Sequence, residues 1–163
     1  MPYEFAGIPS DCAAVAVESV YLRTSDYCLG CHTCGKQLVG PDAIGIERKT
    51  LSDLYGSFTH GRERFERAML RLSSEFGYAA LLVEADWTQI SNPNTHLKYP
   101  TQALPRSVTA SMLSWSVRMG FHVFTAGDRT IGERLTFRLL EWKFRQLVSQ
   151  KKCDELTHKG ESQ

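Results

Sequence analysis

The chain has no apolar run long enough to cross a bilayer. The longest, around residues 13–17 and 78–83, fall far short of the roughly 20 residues that a spanning helix needs. It also lacks a basic-then-apolar opening segment of the secretory kind, so the expectation is a soluble protein of the cytoplasm, nucleoid-associated in a bacterium or phage. An excess of one charge is missing too. With 19 Lys+Arg against 18 Asp+Glu the net charge is +1, and a nucleic-acid partner would have to be held by a local basic patch rather than a global field. An even count of cysteines is absent: of five, three crowd together as Cys28, Cys31 and Cys34, unlike an extracellular disulfide framework. Reduced thiols or a metal site fit that cluster better. There is no internal repeat. What remains is 163 residues, 42% of them hydrophobic and 23% charged, enough for one compact domain burying roughly 70% of its unfolded surface.

The periodicity sketches that domain. Residues 12–22 (CAAVAVESVYL) are rich in valine and read as a strand, leaving Asp26 at a strand edge or start. Residues 28–42, with three glycines, a proline and the cysteine cluster, show no sustained period and read as an insertion loop. In residues 44–49 alternation puts Ile44, Ile46 and Arg48 on one strand face and Gly45, Glu47 and Lys49 on the other. Thr50, with Asp53 three residues on, resembles a capping box opening a short helix. A longer helix follows between Gly61 and Glu75, with Phe65, Met69 and Leu72 at helical spacing, and Gly77 ends it. Residues 78–84 form a continuous apolar run closed by Glu84, as in a central strand covered on both faces. A long loop is expected over 85–106, a helix over 107–119 capped by Gly120, a strand over 121–125 and a terminal helix from Arg129 to about Lys151. Residues 1–150 would thus form a single three-layer α/β domain on a mixed sheet, and 151–163 a polar tail.

Glu47 and Lys49 project from one strand face roughly 7 Å apart. Hydrolysing a phosphodiester calls for a hard cation held by one or two carboxylates and a positive group that offsets developing charge. Asp26, Glu47 and Lys49 could supply those parts, although an acidic-x-Lys triplet is also a common surface ion pair.

The surrounding residues are more specific. Asp26-Tyr27, a variable gap, Glu47-Arg48-Lys49, three residues and Asp53 together resemble the signature of the XPF and Hef family of structure-specific endonucleases. The likeness continues through Gly61-Arg62, the apolar strand ending at Glu84, and the Ser-Trp-Ser-Val-Arg helix with the strand and helix after it, about residues 15–150 in all. It implies a restriction-endonuclease-like fold of the PD-(D/E)XK type. It also implies a metal-dependent endonuclease that cuts branched or flap duplex DNA in repair or recombination, often as a homodimer. Carried over, it gives magnesium or manganese to Asp26 and Glu47, water or scissile phosphate to Lys49, and a DNA-contacting or buttressing role to Arg48. Asp53 would be the last acidic position, and Arg62 and Arg64 would meet the phosphate backbone. The chain departs from the pattern in three places. Ser25 stands where the family usually has glycine, the gap from Asp26 to Glu47 is about twice the usual length, and Pro2-Tyr3-Glu4-Phe5 resembles the segment after a first strand bearing an Asp-x-Arg-Glu-like motif. A catalytically inactive DNA-binding or partner-binding relative is therefore the alternative.

Several residues have a second reading. Asp53 also suits a purely capping role. Glu84 is either a third site carboxylate or a solvated strand end. The arginines of residues 62–71 alternate with Glu63 and Glu66, as on an ordinary solvated face. His60 reads as a loop residue. Cys28, Cys31 and Cys34, with His32, could hold zinc, though the spacing lacks the second knuckle of a closed site, and inert loop thiols are the other reading. Exposed Trp142 and Phe144 on the last helix suggest the surface through which a homodimer would form.

Overall fold

The computed structural model describes residues 1–5, 16–31 and 35–150. Its regular elements are β1 (Tyr27–Cys28), β2 (Gly40–Lys49), α1 (Leu51–Phe58), α2 (Arg62–Glu75), β3 (Phe76–Val83), α3 (Trp87–Ser91), a 3-10 turn (Pro93–Thr95), α4 (Pro105–Met119), β4 (His122–Thr125) and α5 (Arg129–Ser149). One mixed sheet runs in the order β1-β2-β3-β4, with β1 antiparallel to β2 and the remaining pairs parallel.

Alternation along the strands sorts the core into two layers. Ala79, Leu81 and Val83 of β3 join Leu54, Phe65, Met69, Leu72, Val108, Met112 and Trp115, so α1, α2 and α4 cover that face. Ala80 and Leu82 join Ile44, Ile46 and Tyr3 on the opposite face, where Leu135, Leu139 and Leu140 of α5 pack over them. Every residue from Ala79 to Val83 is buried, as befits a strand covered on both sides. The result is the expected three-layer arrangement on a mixed sheet.

Local chemistry places the boundaries. The Thr50 hydroxyl accepts the Asp53 N–H at 3.1 Å and donates to the Asp53 carboxylate at 2.8 Å, starting α1 directly after β2. Thr50→Ala should cost about 1 kcal/mol, read as a lower midpoint in urea unfolding. Gly120 ends α4 in the left-handed region at φ 75°, as its sequence position suggests.

Four details differ from the sequence reading. Residues 12–15 of the expected first strand lie outside the described residues, and 16–22 are largely exposed with no strand pairing, because Tyr27 and Cys28 occupy the edge of β2. The stretch taken as a loop over 28–42 is shorter: Cys28 belongs to β1, Gly30 bridges to Gln37, and β2 already starts at Gly40, with a register shift before Ile44. Gly77 does not end α2 but lies within β3, since Phe76 already has extended backbone, at φ −125° and ψ 128°. Residues 85–106 hold α3, started by a capping box between Asp86 and Gln89, and the 3-10 turn, both too short to show a period. The expected tail, 151–163, lies outside the described residues.

Candidate active site

β2 ends level with β3 and β4, Lys49 opposite Val83 and Val83 opposite Thr125, so its last residues stand at the carboxyl edge of the parallel strands. Glu47 and Lys49 share the face turned toward α2. Lys49 Nζ lies 2.7 Å from Glu47 Oε1, and 5.3 Å from the centre of the Phe65 ring. Asp26 comes to the same edge through the pairing of β1 with β2. Its N–H donates to the Ile46 carbonyl at 3.0 Å, and its Oδ2 accepts the Arg48 N–H at 2.8 Å.

The electrostatics show that these groups act on one space. Burial raises the carboxyl pKa of Glu47 above the ordinary range, and the negative charge of Asp26 raises it further, while Lys49 and Arg64 pull it back. Arg64, reached from the first turn of α2, therefore belongs to this edge although its own side chain is exposed. A buried carboxylate beside a second one offers oxygen donors of the kind a hard divalent cation takes, and a cation would offset the charge that burial penalises at Glu47. The donor set fits magnesium or manganese.

The remaining sequence candidates are placed as follows. Arg48 points to the opposite face, where its guanidinium donates to Glu84 at 3.0 Å with 15% of the side chain exposed. Of the two roles expected of Arg48, this ion pair is an arrangement of the buttressing kind. Glu84 is neither a third carboxylate at the Glu47 edge nor solvated: its side chain is 7% exposed and receives the Tyr3 hydroxyl as well as Arg48. Asp53 lies in the first turn of α1, where its carboxylate accepts the hydroxyl of the N-cap Thr50. Arg62 is exposed, donates to the Ser111 hydroxyl at 3.1 Å and lies over the Trp115 and Phe58 rings at 5.1 and 5.8 Å. His60 is an exposed turn residue.

The zinc reading gains nothing from the described residues. The Cys28 thiol is pushed up to about 11 by burial, against the opposing hydrogen bonds to Ser25 and Gln37. His32 and Cys34 lie outside the described residues, and no group of three His, Cys, Asp or Glu side chains is gathered as a metal site within them.

A model of the ERCC4 domain matches residues 2–133. The chain belongs to the ERCC4 domain family. The solved structure of XPF from Aeropyrum pernix is similar to it with a TM-score of 0.51 and 22% identity, over 68% of this chain and 50% of that one. A second structure, XPF from Aeropyrum pernix in complex with DNA, matches with a TM-score of 0.45 and 22% identity, over 67% and 47%. The chain thus spans about half the length of the XPF chains it matches. Comparison with curated proteins finds no match. The family agrees with the resemblance carried by Asp26-Tyr27 and Glu47-Arg48-Lys49, and the fold is the restriction-endonuclease-like α/β fold of the XPF nuclease domain.

Sequence reasoning missed Tyr3, Tyr27 and Arg129, which surround Glu84 and Arg48 on the far face. Their signal was weak, since Tyr3 sits in a short segment with no period. Parity did hold a clue to Glu84, two residues beyond Leu82 and hence on the α5 side of the sheet.

Proposed function

We propose that this ERCC4 domain is a divalent-metal-dependent endonuclease that cuts branched or flap duplex DNA by attack of water on a phosphodiester, in repair or recombination. The observation that carries the reading is the meeting of Asp26, Glu47 and Lys49 at the carboxyl edge of β2, with Glu47 raised by burial and by Asp26. Asp26 and Glu47 would hold magnesium or manganese, which when bound lowers the pKa of water and polarises the phosphoryl oxygen. Lys49, kept in place by Glu47 and the Phe65 ring, supplies a positive charge against the scissile phosphate as negative charge develops there. Arg64 adds a second positive charge at the same edge. The Arg48 N–H holds one oxygen of Asp26, so that carboxylate meets its partner in a fixed orientation.

Arg62, exposed on α2 above two aromatic rings, would meet a backbone phosphate of the duplex. Arg62→Ala should then weaken DNA binding uniformly across sequences and lower the log–log salt slope by about 0.9, read by titration at several salt concentrations. The homodimer belongs to the same proposal. Trp142 and Phe144 of α5 are 66% and 40% exposed, and sedimentation at micromolar concentration should give a dimer that Trp142→Glu converts to monomer.

The test is cleavage of labelled flap, fork and plain duplex DNA in magnesium, in manganese and in chelator, by the chain and by Asp26→Asn. Metal-dependent cutting that favours the branched substrates and disappears in the variant supports the proposal. Fork binding without cutting would instead identify the inactive relative.

A further inference from the structure

On the side of the sheet away from Glu47, the chain's first residues close around one buried carboxylate. Glu84 follows β3 directly, its N–H donating to the Lys49 carbonyl at 2.8 Å. Its Oε1 accepts the Tyr3 hydroxyl at 2.7 Å and the Arg48 guanidinium at 3.0 Å, with Arg129 at 3.7 Å. A carboxylate this buried needs to be paired and hydrogen-bonded, and two donors with a third, ion-paired partner meet that need. Tyr3 is itself 3% exposed. Its ring lies under both guanidinium groups, 5.3 Å from Arg48 and 5.0 Å from Arg129, and stacks on Tyr27 at 5.1 Å.

The main chain of residues 1–5 is fastened as well. The Tyr3 N–H donates to the Tyr27 hydroxyl at 2.8 Å. Arg129 donates to the Met1 and Pro2 carbonyls at 3.0 and 2.7 Å, and Glu133 accepts the N–H groups of Glu4 and Phe5. Gly132 allows this approach: a Cβ there would strike the Tyr3 hydroxyl.

The pattern lies in where these bonds end. Tyr27 is the neighbour of Asp26. Arg48 stands between Glu47 and Lys49, and its own N–H holds the Asp26 carboxylate. The Glu84 N–H holds the Lys49 carbonyl. Asp26, Glu47 and Lys49, which carry the metal and phosphate roles at this edge of β1 and β2, are each adjacent to, or bonded by, a residue of the cluster. The direct link among these is the Arg48 N–H held by the Asp26 carboxylate.

We infer that residues 1–5 form a clasp in which Tyr3, acting through Glu84, Arg48 and Tyr27, positions Asp26 against Glu47 from behind the sheet. The inference rests on the metal-site reading above. Tyr3, Tyr27 and Glu84 are positioning residues, since none of them touches the space between Asp26 and Glu47. The Tyr3 hydroxyl suits that role, because burial and the Glu84 carboxylate push its pKa far above the usual tyrosine range and it remains a donor at every working pH.

The experiment compares the full chain with Tyr3→Phe, which keeps the ring and loses only the hydroxyl, and with Glu84→Gln. Leu147→Ala serves as a destabilised control, 18 residues beyond Arg129 and hence roughly 27 Å along α5. Manganese affinity is measured by electron paramagnetic resonance without DNA, and hydrogen exchange is followed at the Arg48 amide. Tyr3→Phe and Glu84→Gln should weaken manganese binding by about tenfold, as loss of outer-shell partners does, and speed Arg48 exchange. Leu147→Ala should leave manganese affinity unchanged. Wild-type affinity and exchange in Tyr3→Phe would overturn the clasp while the metal site stands. Equal weakening by Leu147→Ala would overturn it as a mere stability effect. No manganese binding by the wild type at millimolar concentration would overturn the metal-site reading and the clasp together.

Discussion

Glu47→Gln should lower magnesium-dependent DNA cutting by more than about a hundredfold and at the same time raise the melting temperature of the metal-free protein. The first effect follows from losing a carboxylate that would hold the cation, on which both activation of water and relief of phosphoryl charge depend. The second follows from the cost of ionising Glu47 in place. Burial and the Asp26 charge outweigh the help of Lys49 and Arg64, so its folded-state pKa stands above the ordinary value. A carboxylate with a raised folded-state pKa contributes stability below its unfolded-state pKa and loses it as pH rises through the folded value. Gln is neutral throughout. Wild type and variant should therefore match in acid, and the variant should melt higher once pH exceeds the raised value. Saturating magnesium reverses the order, because a cation that binds only the folded state stabilises the wild type by about 2.7 kcal/mol at a hundred times its dissociation constant. Calorimetry across pH with and without magnesium, beside single-turnover cleavage, reads all of this. Cutting by the variant at the wild-type rate would contradict the assignment of Glu47.

Gly77→Ala should be the most destabilising small substitution in the sheet. Pro41, where the register of β2 against β3 shifts, crosses so close to Gly77 that an added Cβ would fall on the Pro41 carbonyl, with the Pro41 Cα also inside contact distance. These are backbone atoms, so no rotamer change relieves the collision, and the start of β2 must move. Overpacking of this kind costs about 3 kcal/mol at the upper end of the usual range. For a chain of this size that is a fall of roughly 6–12 °C in melting temperature. Gly45 is similarly crowded, by the buried Phe76 ring, but that neighbour is a side chain and not backbone, so Gly45→Ala should cost less than Gly77→Ala. Thermal unfolding of the two variants decides the ranking, and a Gly77→Ala protein as stable as wild type would rule out this packing.

The parts that were legible in the sequence are those governed by a period. Alternation in β2 separates Glu47 and Lys49 from Arg48, and helical spacing locates the buried face of α2 at Phe65, Met69 and Leu72. Capping chemistry marked the start of α1 at Thr50 and the end of α4 at Gly120. Within the run read as a strand over 12–22, the described residues 16–22 form none, because strand propensity needs a neighbouring edge and Tyr27–Cys28 fills the one beside β2. Residues 85–106 concealed α3 for want of length. The clasp was out of reach for a different reason. Tyr3 meets Glu84 across 81 positions, and Arg129 meets Met1 across 128, so both pairings arise from tertiary packing that no local pattern encodes. The pairing of Arg48 with Glu84, across 36 positions, arises in the same way.

The most direct measurement is a manganese titration of the metal-free wild type, Asp26→Asn and Glu47→Gln, followed by electron paramagnetic resonance at neutral pH. If Asp26 and Glu47 hold one cation between them beside Lys49, the wild type binds manganese and each single substitution weakens that binding by at least about tenfold while the variants remain folded. Manganese bound equally well by all three proteins, or by none of them at millimolar concentration, would contradict it.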